Sequence, residues 1–314
     1  MRVLFWGTSA FAAPSLRALV GEDFEVVGVV TQPDRPTGRS RSSVTASPIK
    51  EIALEEGMEL LQPQRPRGEE FIAGVRRLEP EISVVVSYGQ LLPEGVIGLP
   101  TLGTLNVHAS LLPKLRGASP IRAAILEGLP ETGITIMRLV PALDAGPVLL
   151  QMATPILDDE SYGELELRLS ELGALALIEA LTLVQLGRQS ERPQQDADAS
   201  YAPKIDRAMA RVDWTLPAEQ VSRRIRAYDP KPGAFTTLRS TDVKLFRASE
   251  AEGERHDHPA PGEVLAVDGS GLTVACGSGA VRVAFVQPAG RRRLSAEDWH
   301  RGRGVALRDR FGDD

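Results

Sequence analysis

Glu25-Val26-Val27-Gly28-Val29-Val30-Thr31 is a β-branched run with no polar alternation between Val26 and Val30. A strand wetted on one face alternates apolar and polar residues. A continuous apolar run belongs to a strand covered on both faces, the situation inside a parallel sheet. Ile82-Ser83-Val84-Val85-Val86-Ser87 has the same character, and Val3-Leu4-Phe5-Trp6 and Leu105-Asn106-Val107 are shorter examples. Helical stretches separate these runs; Phe11 to Val20 has helical spacing after the turn Gly7-Thr8-Ser9. Strands alternating with helices predict an open α/β sheet. Ligands of such sheets bind beyond the C-terminal ends of the strands. His108 is expected just past the end of its strand, in that position.

Further along, Ser119-Pro120 opens a helix from Ile121 to Gly128, with an N-cap, an early proline and a glycine stop. Ile134 to Val140 and Val148 to Ile156 are strand-like, and Asp144-Ala145-Gly146 lies in the connection between them. Ser161-Tyr162-Gly163-Glu164 is a capping box. It starts a long helix expected to bury Leu165, Leu169, Leu172, Leu175 and Ile178 and to end at Gly187. Gln189 to Ser200 is polar and aperiodic and reads as a linker. The expected division is therefore 1–188, a linker at 189–206, and a second domain at 207–314. In that second domain a short helix follows Pro217, runs through Tyr228 and is stopped by Asp229-Pro230. Short alternating strands follow, separated by turns such as Asp268-Gly269-Ser270-Gly271, a pattern for a small antiparallel barrel.

At 314 residues the chain is long for one domain, and 42% hydrophobic with 25% charged residues is ordinary for a globular protein. No apolar run approaches the roughly 20 residues that cross a bilayer. Met1 to Gly7 is too short for a signal peptide and reads as a strand at once, so a cytoplasmic location is the expectation. Cys276 is the single cysteine, which allows no internal disulfide. Its strand-like setting predicts a buried structural thiol. The net charge of -6 argues at first against a nucleic-acid partner. The charge is uneven, however. Residues 1–204 hold 18 basic and 26 acidic side chains, and the remainder holds 18 basic and 16 acidic. A polyanion could be met locally by that last third, or the difference is ordinary surface variation.

Asn106, His108 and Asp144 supply one amide, one imidazole and one carboxylate. The two-residue step from Asn106 to His108 puts both side chains on one face if strand geometry continues. Acyl transfer from a carrier to an amine needs a donor aimed at a developing oxyanion. It also needs a group titrating near neutrality and a carboxylate to orient it or take a proton. His108 could be the electrophile, Asn106 a second donor and Asp144 the base or orienter. Asp144 could also serve as a turn-former, since Asp-Ala-Gly is good turn chemistry. Gly7-Thr8-Ser9-Ala10-Phe11 lacks G-x-G-x-x-G, which disfavours a nicotinamide-dependent oxidoreductase. His256-Asp257-His258 superficially resembles a metal pair but has no third ligand nearby in a charged stretch, so a surface loop is expected and no metal.

Asn106-Val107-His108-Ala109-Ser110-Leu111-Leu112-Pro113 resembles the signature of the 10-formyltetrahydrofolate-dependent formyltransferases. Thr31-Gln32-Pro33-Asp34-Arg35-Pro36-Thr37-Gly38-Arg39, Ser47-Pro48-Ile49-Lys50, Gly133-Ile134-Thr135-Ile136-Met137 and Gln287-Pro288-Ala289-Gly290-Arg291-Arg292 also match. These segments are similar to the branch of that family that acts on methionyl-tRNA, and the likeness runs from about residue 1 to about residue 300. The resemblance implies an N-terminal Rossmann-like open, mostly parallel sheet and a C-terminal oligonucleotide-binding-like barrel. It implies Asn106, His108 and Asp144 as catalytic residues, and Ser110, Leu111, Leu112 and Pro113 as lining the folate site. The donor would be 10-formyltetrahydrofolate, with no metal and no obligate protein partner. The acceptor would be the methionine amine on initiator tRNA. The loop carrying Arg35, Arg39 and Arg41 would enter the tRNA acceptor arm, although the family is often more lysine-rich after the Gly-Arg step. Arg291 and Arg292 are candidates for phosphate contacts or a solubilising cluster. The alternatives are a formyltransferase for a ribonucleotide or amino-sugar, disfavoured by the second domain and the arginine loop, and a nucleic-acid-binding protein with an inactive enzyme domain, disfavoured by the intact Asn-His-Asp set.

Overall fold

A computed structural model of the chain describes residues 1–37, 43–251 and 259–312. It divides into two compact units. The first is Met1–Pro120, Thr132–Thr154 and Glu166–Ala202; the second is Ile121–Glu131, Pro155–Leu165 and Pro203–Asp314.

Through the first part of the chain the elements are β1 (Arg2–Gly7), α1 (Ala13–Gly21), β2 (Glu25–Val30), β3 (Arg35–Thr37), β4 (Ser43–Thr45), α2 (Pro48–Glu55), β5 (Leu60–Leu61) and α3 (Glu69–Arg77). Next come β6 (Ile82–Val86), α4 (Glu94–Ile97), β7 (Thr104–His108), β8 (Arg116–Gly117), α5 (Pro120–Glu127), β9 (Glu131–Arg138), β10 (Val148–Pro155), α6 (Tyr162–Gln185) and β11 (Tyr201–Ala202). Seven strands form one sheet in the order β10-β9-β7-β6-β1-β2-β5. β1 pairs in parallel with β2 and β6, β2 with β5, and β6 with β7. β7 then pairs antiparallel with β9, so the sheet changes sense at the strand that carries Asn106 and His108. The continuous apolar runs sit where the parallel pairing requires them; all five residues of β6 are buried.

Trp6 anchors one face. It packs edge-on against Phe71 and Tyr88 at centroid distances of 5.8 and 5.4 Å, and its indole N–H donates to Ser83 Oγ at 3.2 Å. Beneath β7 and β9 lies α6. The capping box forms as expected: Ser161 N and Oγ both donate to Glu164 Oε2, at 3.0 and 2.6 Å. The buried stripe of α6 differs from the expected one. Leu165 and Leu169 are buried, but Leu175 is 65% exposed, and Gly173, Ala176, Leu177, Ala180 and Leu181 turn inward instead. The small residues let the helix lie close to the sheet. A Cβ on Gly173 would stand 3.2 Å from Val107 Cγ1 and 3.6 Å from Ile134 Cδ1. Leucine spacing alone hides this, because the close approach is made by the absence of side chains.

The polar stretch expected as a linker lies within the first unit, which runs to Ala202. Arg192 forms a backbone bridge to Val148, and β11 pairs in parallel with β8. Gly117, at φ +116, has no room for a Cβ, which would fall 2.7 Å from Ala202 O.

In the second unit α7 (Ala218–Tyr228) ends at the expected Asp229, and an antiparallel sheet follows. Its strands are β12 (Ala234–Leu238), β13 (Thr241–Glu250), β14 (Val264–Asp268), β15 (Gly271–Ala275), β16 (Ala280–Pro288) and β17 (Leu294–Ser295), and α8 is Ala296–Arg301. The order is β12-β13-β16-β15-β14, with β17 on β16. Trp214 and Trp299 stack on Phe311, at centroid distances of 5.6 and 6.3 Å, in the core of this unit. Cys276 is buried directly after β15, and burial pushes its thiol up to about 12. Among the described residues no helix is long and apolar enough to cross a membrane.

Candidate functional site

His108 is the last residue of β7, not the first residue beyond it. The ladder with β9 continues to the pair His108–Thr135, so the imidazole is held by regular sheet rather than by a loop. Asn106 pairs with Met137 and lies on the same face, as the two-residue step requires. The intervening Val107 points the other way, toward α6. Asn106 is half-buried, and its amide makes no hydrogen bond among the described residues.

His108 is 6% exposed. Its Nε2 lies 3.1 Å from Leu115 O. A carbonyl only accepts, so this bond places the proton of the neutral ring on Nε2 and leaves the Nδ1 lone pair free. Nδ1 faces Asp144 Oδ2 at 3.8 Å. That is too long for a direct hydrogen bond. In the neutral ring the two facing atoms are both acceptors, so they require a proton or a donating water between them. Burial lowers the His108 pKa from its ordinary value, opposed by the Asp144 carboxylate and then by the Leu115 carbonyl. The ring is thus set between two pressures on the same proton.

Asp144 occupies the loop between β9 and β10 with a left-handed backbone, φ +48. Its Oδ2 accepts from Gly117 N at 2.7 Å. Gly146, two residues on, is where the loop backbone crosses β9: a Cβ there would stand 1.8 Å from Arg138 O. Only glycine permits that crossing.

The segment Ser110 to Pro113 is pinned to β9 and β10. Thr135 Oγ1 donates to Ser110 O at 2.6 Å and accepts from Leu112 N at 3.1 Å. Gln151 Nε2 donates to Leu112 O and to Thr135 Oγ1, at 2.8 and 3.0 Å. Ser110 and Leu112 are buried, and the Ser110 hydroxyl donates to Lys114 O at 2.6 Å. Leu111 and Pro113 keep part of their surface open.

Three further residues support this site. Arg116, 3% exposed, donates from Nε and Nη2 to Gln194 Oε1 at 3.0 and 2.8 Å. Gln194 Nε2 donates to Asp144 O and Gly146 O, both at 2.8 Å. Ser200 Oγ accepts from Leu115 N at 3.0 Å, next to the carbonyl that holds His108. Arg116 follows the Asn-Val-His signature closely enough to be suspected from sequence. Gln194 and Ser200 carry no local signal at all, being polar residues in an aperiodic stretch.

The arginines are a different case. Arg39 and Arg41, with His256, Asp257 and His258, lie outside the described residues, and Arg35 is placed only as backbone in β3. Arg291 and Arg292 are exposed in the turn between β16 and β17. Arg293 instead stacks over Phe246 at 4.1 Å and pairs with Asp229 at 3.6 Å.

Comparison with known proteins agrees with this architecture. A family model described as formyl transferase matches residues 1–181, and one described as formyl transferase, C-terminal domain, matches residues 204–304. The methionyl-tRNA formyltransferase of Aromatoleum aromaticum is 44% identical over 311 residues, covering 99% of this chain and 97% of that protein. The methionyl-tRNA formyltransferase of Xanthomonas euvesicatoria is 46% identical over 300 residues, covering 95% and 96%. Among solved structures, HypX from Aquifex aeolicus in complex with tetrahydrofolic acid superposes with a TM-score of 0.65 at 20% identity, covering 95% of this chain and 46% of that one. With both of its parts matched, and with relatives alike along nearly their whole length, the chain belongs to the formyl transferase family.

Proposed function

We propose that the chain transfers a formyl group from 10-formyltetrahydrofolate to the α-amino group of methionine carried on initiator tRNA, giving formylmethionyl-tRNA in the cytoplasm. The names and full-length likeness of the relatives support the acceptor. The tetrahydrofolic acid held by HypX supports a folate donor. The observation that carries the reading is the pairing of buried His108 with half-buried Asp144 at 3.8 Å, His108 lying on the strand that also presents the unengaged amide of Asn106.

The amine nitrogen attacks the formyl carbon and forms the new C–N bond. The carbonyl oxygen becomes an oxyanion, which Asn106 meets with its amide and His108 meets in its charged form, with a second proton taken from solvent onto Nδ1, the nitrogen left free by Leu115. Asp144, through a water, balances the charge on the ring and takes up the proton that the attacking amine sheds. The bond from the formyl carbon to the folate nitrogen then breaks, and that nitrogen receives the proton. Ser110 to Pro113 form the folate-facing wall, with Ser110 and Leu112 fixing its shape and Leu111 and Pro113 presenting surface. Catalysis belongs to the N-terminal domain of residues 1–188 together with its polar extension. Arg35, Arg39, Arg41, Arg291 and Arg292 meet tRNA phosphates, the last two from the 207–314 domain.

The test is formyl transfer to purified methionyl-tRNA, with free methionine as the control acceptor. His108→Ala and Asp144→Asn are each expected to lower turnover about 100-fold or more. A folded variant of either kind with near-normal turnover removes its residue from the reaction. No transfer by the parent chain removes the proposal.

A further inference from the structure

We infer that Gln194 is a positioning residue for Asp144, and that the polar segment carrying it is part of the reacting site rather than a tether. The inference rests on the role given to Asp144 above. A primary amide has two N–H donors and one carbonyl. Gln194 directs Nε2 to two loop carbonyls, Asp144 O and Gly146 O, both at 2.8 Å. It directs Oε1 to the guanidinium of Arg116, at 3.0 Å from Nε and 2.8 Å from Nη2. The buried guanidinium can only donate, so it fixes which end of the amide faces the Asp144 loop.

Arg116 is itself held in place. Its Nη2 pairs with Asp196 at 2.9 Å, and its backbone N donates to Ser200 O at 2.9 Å. The next residue, Gly117, donates its backbone N–H to Asp144 Oδ2 at 2.7 Å. Asp144 is therefore gripped twice: Gln194 holds its backbone and Gly117 holds its carboxylate. Both grips hang from the same two-residue strand. The backbone at Asp144 is left-handed, φ +48, a region that aspartate tolerates but that an L residue favours less than the right-handed one. Without Gln194, Oδ2 keeps only the Gly117 N–H to hold it opposite His108 Nδ1, and the loop backbone on either side of Asp144 loses both of its side-chain partners.

The informative variant is Gln194→Glu. A carboxylate keeps an acceptor for Arg116 but has no N–H for Asp144 O and Gly146 O. Steady-state transfer to methionyl-tRNA is measured in the full chain, alone and in an Asp144→Asn background. The expected result is a kcat lower by about tenfold to 100-fold, the range that follows when a reacting group is misplaced by about an ångström. KM for the folate and for methionyl-tRNA should stay within twofold. In the Asp144→Asn background the same change should cost less than threefold, because Gln194 acts through Asp144. Glu191→Gln, which loses the ion pair to Arg138 in the same segment, should keep kcat within twofold. The proposal is overturned by a Gln194→Glu kcat within twofold of the parent. It is overturned equally by the same loss in both backgrounds, or by an equal loss in Glu191→Gln. Should Gln194→Glu fail to fold, Gln194→Met is judged by the same criteria. A parent chain inert toward methionyl-tRNA refutes the proposed function itself. That outcome is distinct from an active parent whose Gln194 variants keep their kcat.

Discussion

Replacing Gly146 by alanine adds one methyl group and tests the loop geometry directly. The new Cβ would stand 1.8 Å from Arg138 O, against 3.4 Å or more at ordinary van der Waals separation, so about 1.6 Å has to be found. Arg138 cannot supply it. It is paired with Leu105, its N donates to Pro147 O at 2.9 Å, and the next N–H donates to Thr104 O at 2.8 Å. The displacement therefore falls on the loop, and Asp144 is two residues away. Overpacking of this kind costs about 1–3 kcal/mol. A shift of about 1 Å at a reacting group costs about 100-fold in rate. We expect kcat/KM for methionyl-tRNA to fall about 100-fold while the thermal midpoint drops only a few degrees. Gly74→Ala is the control: it lies within α3, nothing stands within 4 Å of its added Cβ, and alanine is favoured in a helix. A Gly146→Ala variant whose kcat/KM stays within threefold of the parent would show that the loop is not set by this crossing.

Replacing residues 191–198 with a glycine–serine segment of equal length should cost at least tenfold in activity, because the strap of Gln194 and Asp196 is removed; undiminished transfer would return this stretch to the status of a linker. His108 should titrate below 6.5 by NMR, since burial lowers its pKa. A depressed pKa means that stability is complete above the unfolded value and is lost as pH falls toward the folded one. The parent should therefore lose more thermal stability below about pH 6.5 than His108→Gln does, and a His108 titrating above 6.5 refutes this. Cys276, its thiol pushed up to about 12, should resist alkylation at pH 8 until the protein unfolds. Rapid labelling of the native protein, read by mass spectrometry, would contradict that burial.

Sequence and structure agree most where periodicity carries the message. The β-branched runs form β2 and β6, and the two-residue step from Asn106 to His108 gives a shared face because β7 extends through both. The placement of His108 differs by one residue, since a histidine has no strand preference to announce that the ladder with β9 reaches it. The polar strap is illegible in the sequence for a physical reason. Its stability comes from hydrogen bonds to residues 44 to 85 positions away, and no local pattern encodes a partner at that distance. The buried face of α6 departs from the leucine spacing at Leu175 because the close approach at Gly173 is a matter of missing atoms.

The long reach of the strap also sets a schedule during synthesis. Gln194 trails the loop it holds by 50 residues, and Ser200 trails Leu115 by 85. At a translation speed of about 5–20 residues per second, the first gap alone takes about 3–10 s to emerge. For that interval the nascent chain has the strand bearing Asn106 and His108 but lacks the Gln194 grip on the Asp144 backbone. The growing polypeptide is thus a formyltransferase in outline before it is one in chemistry. A stall between residues 147 and 193 would leave a molecule with Asn106, His108 and Asp144 all present and the Asp144 loop without the Gln194 half of its grip.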